Sequence, residues 1–98
     1  MKGGEDMPER ISDFTWTFDT LNIFNIEQTA AGKVKPNHII SSSVTKATVK
    51  DLADGYSANI RVITDVGDIE CKVEPSKVDD GYELTFRNII FTKRRSHR

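Results

Sequence analysis

The sequence predicts a mainly β domain: a small antiparallel meander of five or six strands, strongly curled or barrel-like, with at most one short helix near residues 20–31. A β-rich α+β arrangement is the nearest variant. Three observations carry this expectation. The run DFTWTFDT, Asp13 to Thr20, alternates aromatic and polar residues with period two, as a strand with one buried face does. From Ser57 to Phe91 the chain divides into apolar runs, SANIRVIT, IECKVEP and ELTFRNIIF, separated by clusters rich in Asp and Gly. Those residues tolerate the positive backbone angles of tight hairpins. Between these regions HIISSSVTKATV, residues 38–49, is rich in β-branched residues and serine and has no helical face.

Taken in order, residues 1–10 contain Gly3, Gly4, Pro8 and mixed charges with little to anchor them, and are expected to form a disordered leader. The domain proper spans residues 11–92. In the first strand Phe14, Trp16 and Phe18 share the inward side, and Asp13, Thr15, Thr17 and Asp19 the outward one. The next stretch, LNIFNIEQTAAG, reads as a short helix: Leu21, Phe24 and Gln28 share a face, Asp19 or Thr20 can cap it, and Gly32 can end it. Its asparagines and isoleucines are weak helix formers, and Leu21 and Ile23 also alternate as in a strand, so the pattern admits either form. Pro36 disfavours helical angles at Lys35, which makes KVKPN extended or turning. Residues 38–49 read as one strand, or two joined by a bulge.

The remaining runs form a meander whose faces can be assigned. Ile60 and Val62, then Ile69, Cys71 and Val73, then Tyr82, Leu84 and Phe86 point to the core. Arg61, Glu70, Lys72, Glu83, Thr85 and Arg87 point away. Asn88 interrupts the last strand and predicts a bulge that brings residues of the run Ile89, Ile90 and Phe91 to the core; Ile90 is the expected core residue, with Phe24 from the upstream segment. Residues 93–98 form a basic tail. The tripeptide DGY at 54–56 and 80–82 has dissimilar flanks, which indicates two similar turns rather than a repeat.

Ninety-eight residues suit one domain. No window approaches the roughly 18 consecutive apolar residues of a membrane span, and the acidic start has no apolar stretch of signal-peptide type. A single cysteine excludes an internal disulfide. A cytoplasmic location is the expectation.

The residues give little support to catalysis. His38, His97 and Cys71 have no zinc-ligand spacing, and TDVGDIE lacks the spaced oxygens of a calcium loop. Cys71 alternates with Ile69 and Val73 on an apolar face, where its thiolate is disfavoured. No GxSxG or SxxK context activates a serine, Asp79 and Asp80 share a turn in which their carboxylates stay solvated, and there is no glycine-rich phosphate loop. The expectation is therefore no enzyme, no metal, no cofactor and no small-molecule ligand.

Charge is the more informative property. The net value of −1 conceals blocks: −4 over residues 1–30, +4 over 31–50, −6 over 51–83 and +5 over 84–98. The two basic blocks contribute Lys33, Lys35, Lys46, Lys50, Arg87, Lys93, Arg94, Arg95 and Arg98. If the strand around 41–49 neighbours the last strand, they merge into one patch able to neutralise phosphates. The stretch IRVITDVGDIECKVEPSKVDDGYELTF, about a quarter of the chain, resembles the first motif of Sm-like RNA-binding domains in its order of strand, Asp–Gly turn, long strand and a closing hydrophobic–polar–leucine step. Glu83 occupies the place of that family's RNA-contacting asparagine, the gap from Gly67 to Asp79 is longer than the family's, and the later isoleucine–arginine–glycine signature is missing. No binding residue transfers; the resemblance implies a small, strongly bent antiparallel sheet. The expected function is a non-enzymatic binding module for an acidic surface, nucleic acid first and an acidic protein surface second. The alternative is a protein-interaction, inhibitor or accessory domain that uses a sheet edge or the acidic hairpins, with the tail only solubilising.

Overall fold

A computed structural model of the chain describes residues 8–94. Its elements are strand β1 (Pro8–Ile11), β2 (Phe14–Phe18), helix α1 (Ile23–Ala31), which continues into a 3-10 turn (Gly32–Val34), β3 (Ile39–Ser42), α2 (Lys46–Ala53), β4 (Ala58–Thr64), β5 (Gly67–Val78) and β6 (Gly81–Lys93). All strand pairs are antiparallel, in the order β1-β6-β5-β4-β3, and β2 lies against β6 beyond β1. The six-stranded antiparallel sheet agrees with the sequence. It is open rather than closed or strongly curled, so the barrel-like shape is not found. The physical reason is that β1, β2 and β3 occupy opposite edges and do not meet.

Both helices cover one face of the sheet, and a single apolar cluster fills the space between. It includes Ile26, Ala30 and Ala31 of α1, Leu52 of α2, and Val62, Ile69, Val73, Leu84 and Phe86 of the sheet. Complete removal of the Val, Leu, Ile and Phe side chains among these from water stabilises by about 1.5–3 kcal/mol each. The second helix corrects the expectation of at most one. Residues 46–53 are helical because Thr45 caps the end: its hydroxyl accepts from the Thr48 N–H and the Thr48 hydroxyl accepts from the Thr45 N–H. Leu52 is then buried and Val49 half-buried, three residues apart on one face. The reading of 38–49 as strand holds only for residues 39–42.

α1 is also set by a capping box, from Asn22 and Asn25 rather than Asp19 or Thr20. This phase turns Ile23 and Ile26 inward and leaves Phe24 69% exposed, so Phe24 is not the core residue expected. Lys35 adopts left-handed angles before Pro36, φ 50° and ψ 57°, and the chain turns there. Residues 8–10 of the expected leader are part of β1, whereas residues 1–7 lie outside the described range.

The bulge at Asn88 is present. Glu70 pairs with Ile90 but Lys72 with Arg87, so Cys71 stands against two residues of β6, and Asn88 takes φ 54°. The inward parity shifts from Leu84 and Phe86 to Ile89 and Phe91. Ile90 consequently moves to the opposite face and is only half-buried, which corrects its expected core position. Asp13, between β1 and β2, accepts from the Asn88 N–H at 3.4 Å and from Arg87 Nη1 at 3.3 Å. The break between the two short strands therefore matches the bulge in the long one.

Candidate functional site: a sheet edge and the groove beside it

Among the described residues, the basic side chains singled out by charge do not form one surface. β4 and β5 separate β3 from β6, so the condition for merging the two segments is not met. Lys46 and Lys50 sit on α2, over the covered face, and Lys50 Nζ is 2.9 Å from Asp54. Arg87 lies on the opposite face, with Nε 2.6 Å from Glu74 and Nη1 3.3 Å from Asp13. These contacts lower the Glu74 pKa through the Arg87 hydrogen bond and raise that of Arg87 through the same bond. Arg94 Nη2 reaches Asp68 at 2.8 Å and the Thr64 carbonyl at 3.2 Å. Lys33 Nζ stands 4.8 Å from the centre of the Phe14 ring. Lys93 ends β6 opposite Gly67, and Lys35 lies on the exposed turn. Arg95 and Arg98 are outside the described residues.

Lys35 and Lys93 do come to the same end of the sheet. The Asn37 and His38 amides donate to Asp65 at 3.0 and 3.2 Å, and the Arg94 amide donates to the Val66 carbonyl at 3.0 Å. Burial pushes the Asp65 pKa up, but hydrogen bonds from His38 and Asn37 outweigh it and leave the carboxyl below its ordinary value.

Among the described residues, Cys71 and the Asp79–Asp80 pair are not brought together with one another. Burial raises the Cys71 pKa to about 12 and keeps the thiol protonated inside the core. Asp79 and Asp80 occupy the exposed β5–β6 turn. Among the described residues no three of His, Cys, Asp and Glu cluster in a metal-binding arrangement.

What the structure adds is the position of β2. Its aromatic side faces the helical layer as expected, and Phe18 is buried. Phe14 stacks on Phe86 with ring centres 4.9 Å apart and planes 9° from parallel. Trp16, expected in the core, is 58% exposed. It pairs with Leu84 in register, but α1 lies far enough toward the sheet's centre to leave an open groove of about 340 Å³. Phe14, Trp16, Gln28, Thr29, Gly32 and Lys33 line that groove.

The outer side of β2 has no strand partner among the described residues. The other edge segments carry features that discourage pairing. β3 has four residues and an irregular register between Ile39 and Ser41, and its Ser42 hydroxyl donates to Glu27 of α1. β1 starts at Pro8 and carries Glu9 and Arg10. β2 has neither charge, proline nor bulge over FTWTF. Period-two alternation could assign its faces; it could not show that the strand lies at an edge, because edge position depends on chain order across the whole sheet. No family model, curated protein or solved structure matches the chain.

Proposed function

We propose that the chain is a non-enzymatic protein-interaction module that takes up an extended segment along the edge of β2. The observation that carries this reading is Trp16, exposed on an unprotected edge strand and beside a groove. In strand addition, main-chain hydrogen bonds supply affinity, and alternate side chains entering a neighbouring depression supply selectivity. The β2 edge supplies the first element and the groove against α1 the second. Selection of displayed random peptides on the protein tests the reading. Enriched peptides should carry an apolar residue at alternate positions, and Trp16→Thr should weaken their binding at least tenfold with an unchanged melting temperature. Failure to enrich any peptide, or binding indifferent to Trp16→Thr, sinks the proposal.

A second reading retains nucleic acid as the partner, because the segments that carry Lys35 and Lys93 lie at the same end of the sheet and Arg95 and Arg98 follow in sequence. It requires labelled single-stranded DNA or RNA to bind with affinity that falls steeply with salt and drops in Lys35→Glu and Lys93→Glu. Salt-insensitive binding, or none, overturns it.

A further inference from the structure

Residues 13–19 read DFTWTFD in either direction. The palindrome is centred on Trp16 and covers the whole of β2, the edge strand without protection. A closed two-fold interface requires a surface complementary to itself, and antiparallel pairing of one strand with its copy is the simplest case. With the axis through Trp16, Phe14 stands opposite Phe18 of the second copy, Thr15 opposite its Thr17, and Trp16 opposite its own counterpart. Aromatic pairs then occupy the helical face and threonine pairs the other, both favourable cross-strand combinations. A register centred on any other residue pairs fewer of the five.

The surroundings fit the same occupant. In such a pair the two sheets become continuous and α1 of each copy lies on the same face. Each Trp16 ring comes to the seam beside the groove of about 340 Å³ on the other copy. The charges at the two ends oppose the pairing in part: in this register Asp13 of each copy stands opposite Asp19 of the other, on the face away from Lys33, and the Arg87 guanidinium 3.3 Å from Asp13 is the cation placed to offset that repulsion. A seam of five residues is small against the roughly 1,200–2,000 Å² total of a standard stable interface, so the association should be reversible and depend on concentration.

We propose that β2 of one molecule pairs antiparallel with β2 of a second about a two-fold axis through Trp16. The inference rests on the reading that this edge takes up a strand, and it names the strand. Trp16→Cys tests the register, since opposed residues in an antiparallel pair have Cα atoms about 4.5–5.5 Å apart, within disulfide range. Cys71 is buried and does not compete. Mild oxidation should link Trp16→Cys to itself; Thr15→Cys alone and Thr17→Cys alone should stay unlinked, and their mixture should give the crossed dimer. Sedimentation of the unmodified chain, from micromolar to near-millimolar concentration, should show the mass rise from 11.1 kDa toward twice that value. Thr17→Lys, which places a charge on the edge, should hold it at the monomer with an unchanged melting temperature. A monomer throughout, or equal self-linking at Thr15 and Trp16, overturns the inference. If peptide binding sensitive to Trp16→Thr survives that outcome, the edge still takes up a strand but not its own copy; if it too is absent, both proposals fall.

Discussion

Gly81 shows how closely the backbone fits at single positions. A Cβ built there would lie 2.1 Å from the Phe18 carbonyl oxygen, so only glycine allows the end of β2 to rest against β6. Gly81→Ala should lower stability by about 1–3 kcal/mol, the usual cost of overpacking, and loosen β2 in particular. Gly32, with ordinary helical φ and nothing within 4 Å of its Cβ position, is the contrast; Gly32→Ala should leave the melting temperature the same or slightly higher. Cys71 makes a pH prediction. The folded thiol keeps its proton to about pH 12, whereas its ordinary value is 9.0. Between those values the folded state binds more protons than the unfolded one, so this contribution is complete below pH 9 and declines as pH rises. Urea unfolding across that alkaline range should show a shallower loss for Cys71→Val than for the parent chain. The burial of Cys71 was legible from its alternation with Ile69 and Val73. The exposure of Trp16 was not, since its own alternation is as regular as theirs and differs only in what lies above it.

At the scale of elements, the turn between β4 and β5 is fastened to the start of β3 by Asp65. Its carboxylate accepts from two backbone amides and from Asn37 Nδ2, the last at 3.0 Å. Because its folded pKa is depressed, the stabilisation is present above the ordinary carboxylate value and is lost as pH falls through the folded one. Asp65→Asn should therefore be less stable at neutral pH and lose less on acidification, measurable as a flatter acid limb in denaturant unfolding. The strands that flank this turn were legible because their periodicity and turn residues agree. Helix α2 was not: Thr45, Thr48 and Val49 are β-branched, and the Thr–Thr capping box lacks the acidic or amide residue that usually marks one. Substitution of Thr45 by Ala should cost about 1 kcal/mol, read by thermal unfolding. The inward stripe through Leu52 is short, so tertiary burial and the cap outweigh local propensity there.

For the whole molecule, the long axis is set by one hairpin. β5 and β6 have 12 and 13 residues, and strands of that length reach about 40 Å; the molecule measures 52 × 22 × 19 Å. β4 accompanies β5 only as far as the Ala58–Val73 pair, and β2 accompanies β6 as far as Phe18–Tyr82. Beyond them the hairpin turn around Asp79 and Asp80 lacks flanking strands. Charge blocks were visible in sequence, yet the sheet order that distributes them was not, because it depends on which strands become edges. The same order sets a gradient of local stability. Backbone amides of residues 69–73, 84–86 and 89–91 should exchange slowest, and those around 76–80 much faster, since local opening there breaks few buried contacts. Self-pairing would superimpose a second pattern with a different cause. As protein concentration rises, hydrogen exchange by mass spectrometry should slow at β2, whose outward amides gain partners, while the hairpin tip keeps its rate. Thr17→Lys should abolish the dependence at β2 without altering the tip. A concentration effect shared by both regions would instead indicate global stabilisation or aggregation, and would separate either from a contact confined to one edge of the sheet.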